Sequence, residues 1–299
     1  MSNILVTGGA GFIGSHLVDK LVSLEHKVTV LDNLSSGKLS NINKYYDFFT
    51  HDINDSLYDI FNNNKFDYVF HLAAFINLRN SIKNPTDCFY TNVLGSINLI
   101  EYCVKYNCKL IFSSTGGAIY SPNTILPWTE NSLADPQSPY GLSKLHIEQY
   151  LKIAKILYNL NYTILRYSNV YGERQDAQGE AGVISVFLND IKNNKNLKIF
   201  GDGCQTRDFI NVNDVVAANI AVMKLDNCET YNVSSNSEIS INNLANILLT
   251  ETKSNLKIDY LPSIIGEVKK TKLSYEKLKN IIGWEPKFNF NDGLKKLIL

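Results

Sequence analysis

The chain has no CxxC pair. Its five cysteines, at 88, 103, 108, 204 and 228, are scattered through 299 residues. That spacing excludes a zinc cluster built on paired thiolates and does not suggest a disulfide framework, so a reduced intracellular protein is expected. No stretch approaches the roughly 18 apolar residues of a membrane span. Met1-Ser2-Asn3 runs into an apolar segment with no basic stretch ahead of it, unlike a secretory leader, and the expected location is the cytoplasm. Net charge is missing too: 29 basic and 29 acidic side chains cancel, which disfavours nucleic acid or an anionic membrane as partner. Any anion must then be gripped locally, by backbone dipoles or by one or two placed cations. What remains is an ordinary globular composition, 44% hydrophobic and 19% charged, with no internal repeat.

Short apolar runs punctuate the first half: Asn3–Thr7, Lys27–Leu31, Tyr68–His71, Lys109–Ser113 and Thr163–Arg166. Near-continuous apolarity suits strands covered on both faces, as in a parallel sheet. Helical patterns lie between them, at Phe12–Leu24, Asp87–Tyr106 and Tyr140–Leu157. The alternation predicts an α/β fold, a Rossmann-type doubly wound parallel sheet with right-handed crossovers. After Tyr171 the texture turns polar and the strands become shorter. The expected division is a dinucleotide-binding domain over 1–171 and a smaller mixed α/β substrate domain over 172–299. A sheet-like stretch near 208–235 is expected to return to the first domain.

Thr7-Gly8-Gly9-Ala10-Gly11-Phe12-Ile13-Gly14 follows the first run and opens a helical pattern. Glycines 9, 11 and 14 fit GxGxxG, and 8, 11 and 14 fit GxxGxxG. Either way the turn must be tight, backbone must approach a pyrophosphate, and the helix must start with unpaired N–H groups aimed at it. Asp32 ends the second run, where a carboxylate accepts ribose hydroxyls and repels a 2′-phosphate. No Arg or Lys follows before Lys38, so NAD is expected rather than NADP. Further on, Tyr140 and Lys144 stand four residues apart on one helix face. A neighbouring ammonium favours the phenolate and suits the tyrosine to acid/base work.

With these features the chain resembles the extended short-chain dehydrogenase/reductases and, among them, the UDP-hexose 4-epimerases. The matching stretches are TGGAGFIG at 7–14, LDNLSSG at 31–37, HDI at 51–53, HLAA at 71–74, TNVLG at 91–95 and SSTGGAIY at 113–120. SPYGLSK at 138–144, LRYSNVYGERQD at 165–176, GEAGVISVF at 179–187, QTRDFINVND at 205–214 and GWEP at 283–286 extend the likeness nearly end to end. The resemblance implies an NAD cofactor held by Gly8, Gly11, Phe12, Ile13, Gly14, Asp32, Asn33 and Ser36. Asp52 and Ile53 would flank the adenine, and Leu72, Ala73 and Ala74 would line the cleft with Asn92 nearby; Ser114 and Tyr167 complete the set. Tyr140 would be the acid/base, and Lys144 would hold the nicotinamide ribose. Asn169, Val183, Phe200 and Arg207 would hold a nucleotide-sugar, Arg207 at the diphosphate, and relatives pair helices into a homodimer.

Two departures qualify the likeness. The position that carries a catalytic Ser or Thr in the family falls on Gly116, so the hydroxyl is expected from Thr115, with Ser114 as the alternative. The arginine expected two residues before Gly266 is Ile264, leaving Lys269 or Lys270 as substitutes without a bidentate fork. Counting on from Gly266, Thr271 would wall the pocket near the sugar C2 substituent, and a small residue there would admit an N-acetyl group; otherwise it begins a helix over Leu273–Asn280. The reaction implied is inversion at C4 of a UDP-hexose or UDP-N-acetylhexosamine through a 4-keto sugar. The rivals are a 4,6-dehydratase, a decarboxylase, a reductase, or a silent NAD-binding module. Gly116-Gly117 stand where the first two need proton-transfer groups.

Overall fold

The computed structural model describes residues 1–42, 46–177, 182–263 and 268–298. The first half runs β1 (Asn3–Thr7), α1 (Phe12–Ser23), β2 (Lys27–Asp32), β3 (Asp47–Thr50), α2 (Tyr58–Asn63), β4 (Tyr68–His71), α3 (Leu78–Lys83) and α4 (Pro85–Phe89). It continues through α5 (Ser96–Lys105), β5 (Lys109–Thr115), α6 (Gly116–Ile119), α7 (Pro139–Tyr158) and β6 (Tyr162–Tyr167). The second half holds β7 (Asn169–Tyr171), α8 (Val183–Lys192), β8 (Leu197–Phe200), β9 (Thr206–Arg207), β10 (Phe209–Asn211), α9 (Val212–Ala221) and β11 (Glu229–Val233). β12 (Ile239–Ser240), α10 (Ile241–Glu251), β13 (Ile258–Leu261), α11 (Glu276–Ile282) and α12 (Phe290–Ile298) follow.

Seven strands form one parallel sheet in the order β11-β6-β5-β4-β1-β2-β3. The order reverses between β1 and β4, and in doubly wound sheets the ligand crevice lies outside the strand ends at such a point. The apolar runs have the cause expected of them. Along β1, Ile4 and Val6 enter one core with Leu17, Val30 and Val215, while Leu5 enters the other with Phe61, Leu99 and Leu151. A third core gathers Tyr171, Phe187, Leu197, Phe209, Leu244 and Leu248 under the second half of the chain.

Three local expectations need correction. β3 was not anticipated, because Asp47–Thr50 is an edge strand with an exposed, mostly unburied pattern. The helix expected over 87–106 is instead α4 and α5 joined by a π-helical turn, Tyr90–Gly95. The stretch over 208–235 is not continuous sheet: Val212–Ala221 is helical between β10 and β11. The Asn211 side chain caps that helix on Asn213 N–H at 2.9 Å, and its valines pack in the core shared with α1, which overrides their strand propensity.

Candidate active site: a dinucleotide cleft meeting a cationic cleft

The glycine turn sits at the sheet's reversal point. Gly8 has φ +70°, and a Cβ on it would lie 2.6 Å from Ala73 N, so only glycine lets β1 and the segment after β4 approach there. A Cβ on Gly14 would strike the Gly8 carbonyl. Gly8, Gly11 and Gly14 all line the cleft, which settles the register as GxxGxxG. Gly11 is the N-cap of α1 and offers no side chain. Ser15 N–H closes onto Gly11 O at 3.1 Å, so the amides of Phe12, Ile13 and Gly14 are the helix-start donors open to an anion.

Around this turn the cleft is lined by Phe12, Ile13, Asp32, Asn33, Ser36, Ile53, Leu72, Ala73, Ala74, Ser114, Tyr140, Lys144 and Tyr167. Leu31, Ser35, His51, Ile76, Thr91 and Ser113 complete the wall. Asp32 accepts the amides of Ala10 (2.9 Å) and Leu34 (2.8 Å). Burial raises its pKa, and those two amides oppose the shift. Two expected contacts stand behind the wall instead. Asp52 accepts from Asn33 Nδ2 (2.7 Å) and from Asn54; these bonds and His51 outweigh its desolvation and lower its pKa. Asn92, in the π-helical turn, is buried. Its Oδ1 accepts Phe75 N–H (2.6 Å) and its Nδ2 donates to Phe75 O and to Ser143 Oγ (3.0 Å each). Asn92 thus positions the segment after β4 against α7.

Lys144 is buried, with Nζ donating to Ser113 O at 2.9 Å. Desolvation brings its pKa down to about 8, against the pull of Cys88 and Glu148. Tyr140 is anchored through its amide, which donates to Ser81 Oγ of α3 at 3.2 Å. Sequence reasoning missed Glu148, one helical turn beyond Lys144. Fully buried, it takes Ser114 Oγ–H at 2.6 Å and Arg166 Nε at 2.9 Å; its spacing on α7 was the available signal. His71 was missed as well. Thr7 Oγ1 meets His71 Nδ1 and His71 Nε2 meets Ser96 Oγ, each at 2.8 Å, and Ser96 donates to Asn92 O. Burial, and then Lys144, lower the His71 pKa to about 3, so it is a neutral strut between β1, β4 and α5.

Thr115 ends β5 half-buried, next to the cleft-lining Ser114, and is not itself among the residues that line either cleft. Gly116 follows, and a Cβ there would collide with the Leu273 side chain, so any larger residue at 116 requires Leu273 to shift. A second cleft opens beyond Tyr140, which lines both. It gathers Asn169, Val183, Phe200 and Arg207, as the resemblance implied. Asn169 Oδ1 is buried without a partner among the described residues, an acceptor position suited to a ligand donor. Thr271 is not brought to either cleft. It is 2% exposed, and its Oγ1 accepts Asp208 N–H at 3.3 Å; it does not start a helix either, since α11 begins at Glu276. Lys269 and Lys270 are exposed and line neither cleft. Ile264 and Gly266 lie outside the described residues.

A dinucleotide cradle, a Tyr–Lys pair at its mouth and an adjoining polar cleft define an oxidoreductase-type NAD site married to a second ligand site. The model of the NAD dependent epimerase/dehydratase family matches residues 4–234. The chain belongs to that family, and NAD is its cofactor. The crystal structure of UDP-glucose 4-epimerase from Thermotoga maritima with UDP-glucose is similar at TM-score 0.97 and 44% identity, covering 99% of this chain and 97% of that one. UDP-N-acetylglucosamine 4-epimerase from Methanobrevibacter ruminantium, in complex with UDP-N-acetylmuramic acid, is similar at TM-score 0.94 and 36% identity, covering 99% and 97%. A UDP-N-acetyl-alpha-D-glucosaminuronate decarboxylase of Bacillus cytotoxicus is 33% identical over 316 residues, 98% of this chain and 96% of the relative.

Proposed function

We propose that the protein is a UDP-sugar 4-epimerase that inverts C4 of a UDP-hexose or UDP-N-acetylhexosamine. The observation that carries this reading is the position of Tyr140, whose side chain borders the dinucleotide cleft and the cationic cleft together. A sugar ring placed at that junction has its reacting carbon beside both the nicotinamide and the phenol. Bound NAD supplies a reversible hydride acceptor. Tyr140 takes the O4 proton and later returns it, and the Lys144 ammonium stabilises the phenolate. Thr115 orients O4. Ser114 is less suited to that role, because its hydroxyl proton is committed to Glu148. The glycine cradle and helix start hold the cofactor's pyrophosphate, and Asp32 takes its ribose. Arg207, Asn169, Val183 and Phe200 hold the nucleotide while the keto sugar turns to present its other face.

Dehydration or decarboxylation requires a proton-transfer group after the hydroxyl residue, and Gly116-Gly117 have none. The deciding experiment incubates the NAD-loaded protein with UDP-glucose, UDP-N-acetylglucosamine and UDP-glucuronate and follows the products by NMR. Interconversion with the matching C4 epimer is expected. Loss of carbon dioxide, or a 4-keto-6-deoxy product, would replace the reading. The assembly we infer is a homodimer through α7 and the π-helical turn beside it, because Tyr90, Leu94, Ile153, Ile156 and Leu157 leave apolar surface exposed there. A monomer by light scattering at micromolar concentration would refute it.

A further inference from the structure

The cleft beyond Tyr140 is electrically one-sided. In a chain of zero net charge, its described lining holds Arg79, Lys198 and Arg207 and no Asp or Glu. Its volume is about 430 Å³, within the usual range of small-ligand sites. Arg207 and Lys198 come from β9 and β8, but Arg79 comes from α3, in the first half of the chain. Its guanidinium carbon sits 4.8 Å from the Phe200 ring centre. No carboxylate or carbonyl engages that guanidinium among the described residues, although an exposed arginine readily finds one. Stacking on a ring face orients the planar fork and leaves its N–H edges for another acceptor. The base of Arg79 is held as well. Ser81, two residues on, accepts the Tyr140 amide at 3.2 Å and donates to Leu78 O at 2.6 Å, so α3 is tied to the helix start that carries the acid/base tyrosine. Arg79 is thus tied to Phe200 through its guanidinium and, through α3, to the start of the helix that carries Tyr140.

We infer that Arg79 is a substrate-binding residue, the second cation on the diphosphate of the nucleotide-sugar beside Arg207, with which it lines the cleft. This rests on the reading of the cleft as a nucleotide-sugar site. Two phosphates carry two charges, and a single arginine neutralises one of them; a second cation from a separate element balances the other, so the nucleotide stays anchored while the sugar turns. Lys198 lacks the fork and the aromatic seat.

Calorimetry on the NAD-loaded protein tests this with uridine, UMP, UDP, UDP-glucose and UDP-glucuronate. Arg79→Gln is expected to weaken UDP and UDP-glucose roughly tenfold or more while leaving uridine within about twofold. Arg79→Lys restores part of the loss, and the salt dependence of UDP binding flattens in Arg79→Gln. Phe200→Leu, which removes the aromatic seat, moves UDP binding in the same direction. Equal UDP affinity in wild type and Arg79→Gln overturns the assignment while leaving the epimerase reading intact. A loss confined to UDP-glucuronate moves Arg79 to a sugar carboxylate and also overturns it. If the wild type binds none of the uridine nucleotides, both readings fall together.

Discussion

The two clefts are made in different ways. The dinucleotide cleft is walled mainly by main chain at the carboxyl ends of neighbouring strands: the Gly8–Gly14 turn, the end of β2 at Asp32 and the Leu72–Ala74 segment after β4. Its phosphate-facing groups are amides and a helix start close in sequence, and Tyr140, Lys144 and Tyr167 join them from further along the chain. The cationic cleft is walled by side chains from distant segments, Arg79 on α3, Val183 on α8, Phe200 on β8 and Arg207 on β9. No short stretch of sequence contains it. Backbone sites are written locally and tolerate few substitutions at a few glycines, whereas side-chain sites are written by tertiary packing and vary one contact at a time.

The sharpest attack on this contrast is at the buried ion pair behind Ser114 of the dinucleotide cleft. Glu148→Ala leaves the Arg166 guanidinium buried without its carboxylate, and stability should fall by about 3–5 kcal/mol, read by urea denaturation. A loss under about 1 kcal/mol would mean that water replaces the carboxylate. Next in size, Tyr140→Phe should retain NAD and fold while kcat drops about 10²-fold or more; near-normal turnover would remove Tyr140 from the mechanism. Gly14→Ala attacks the backbone site directly. Its new methyl meets the Gly8 carbonyl, and an overpacking cost of about 1–3 kcal/mol should appear as lost NAD affinity with UDP binding spared. If UDP binding falls equally, the clefts are not separable. The smallest effect belongs to Thr271→Val, which removes the acceptor for Asp208 N–H. It should cost about 1 kcal/mol of stability and leave the ratio of N-acetylated to plain substrates unchanged. A changed ratio would return Thr271 to the pocket wall.

Legibility followed the same division. β1, β2, β4, β5 and β6 stand within two residues of the apolar runs that announced them, because strands buried on both faces need little context to be seen. The glycine turn, Asp32 and the Tyr140–Lys144 pair were readable for the same reason: their chemistry depends on spacing within one element. Asn92, Glu148, His71 and Arg79 were not. Asn92 looked like a cleft residue, but the π-helical turn rotates it inward to Phe75 and Ser143. Glu148 reads as an ordinary charged helix position until Arg166 arrives from β6. Arg79 acquires meaning only when Phe200, far along the chain, folds beneath it.

The contact between Gly116 and Leu273 couples two distant positions of the chain. A side chain at 116 is blocked by Leu273, and shrinking Leu273 alone opens a hole in the small cluster it shares with Tyr120 and Trp128. Each single replacement is therefore a loss, and only the pair together restores a packed core with a hydroxyl at 116. A variant library that changes one site at a time is therefore expected to recover neither replacement, whereas one that varies 116 and 273 together recovers the pair.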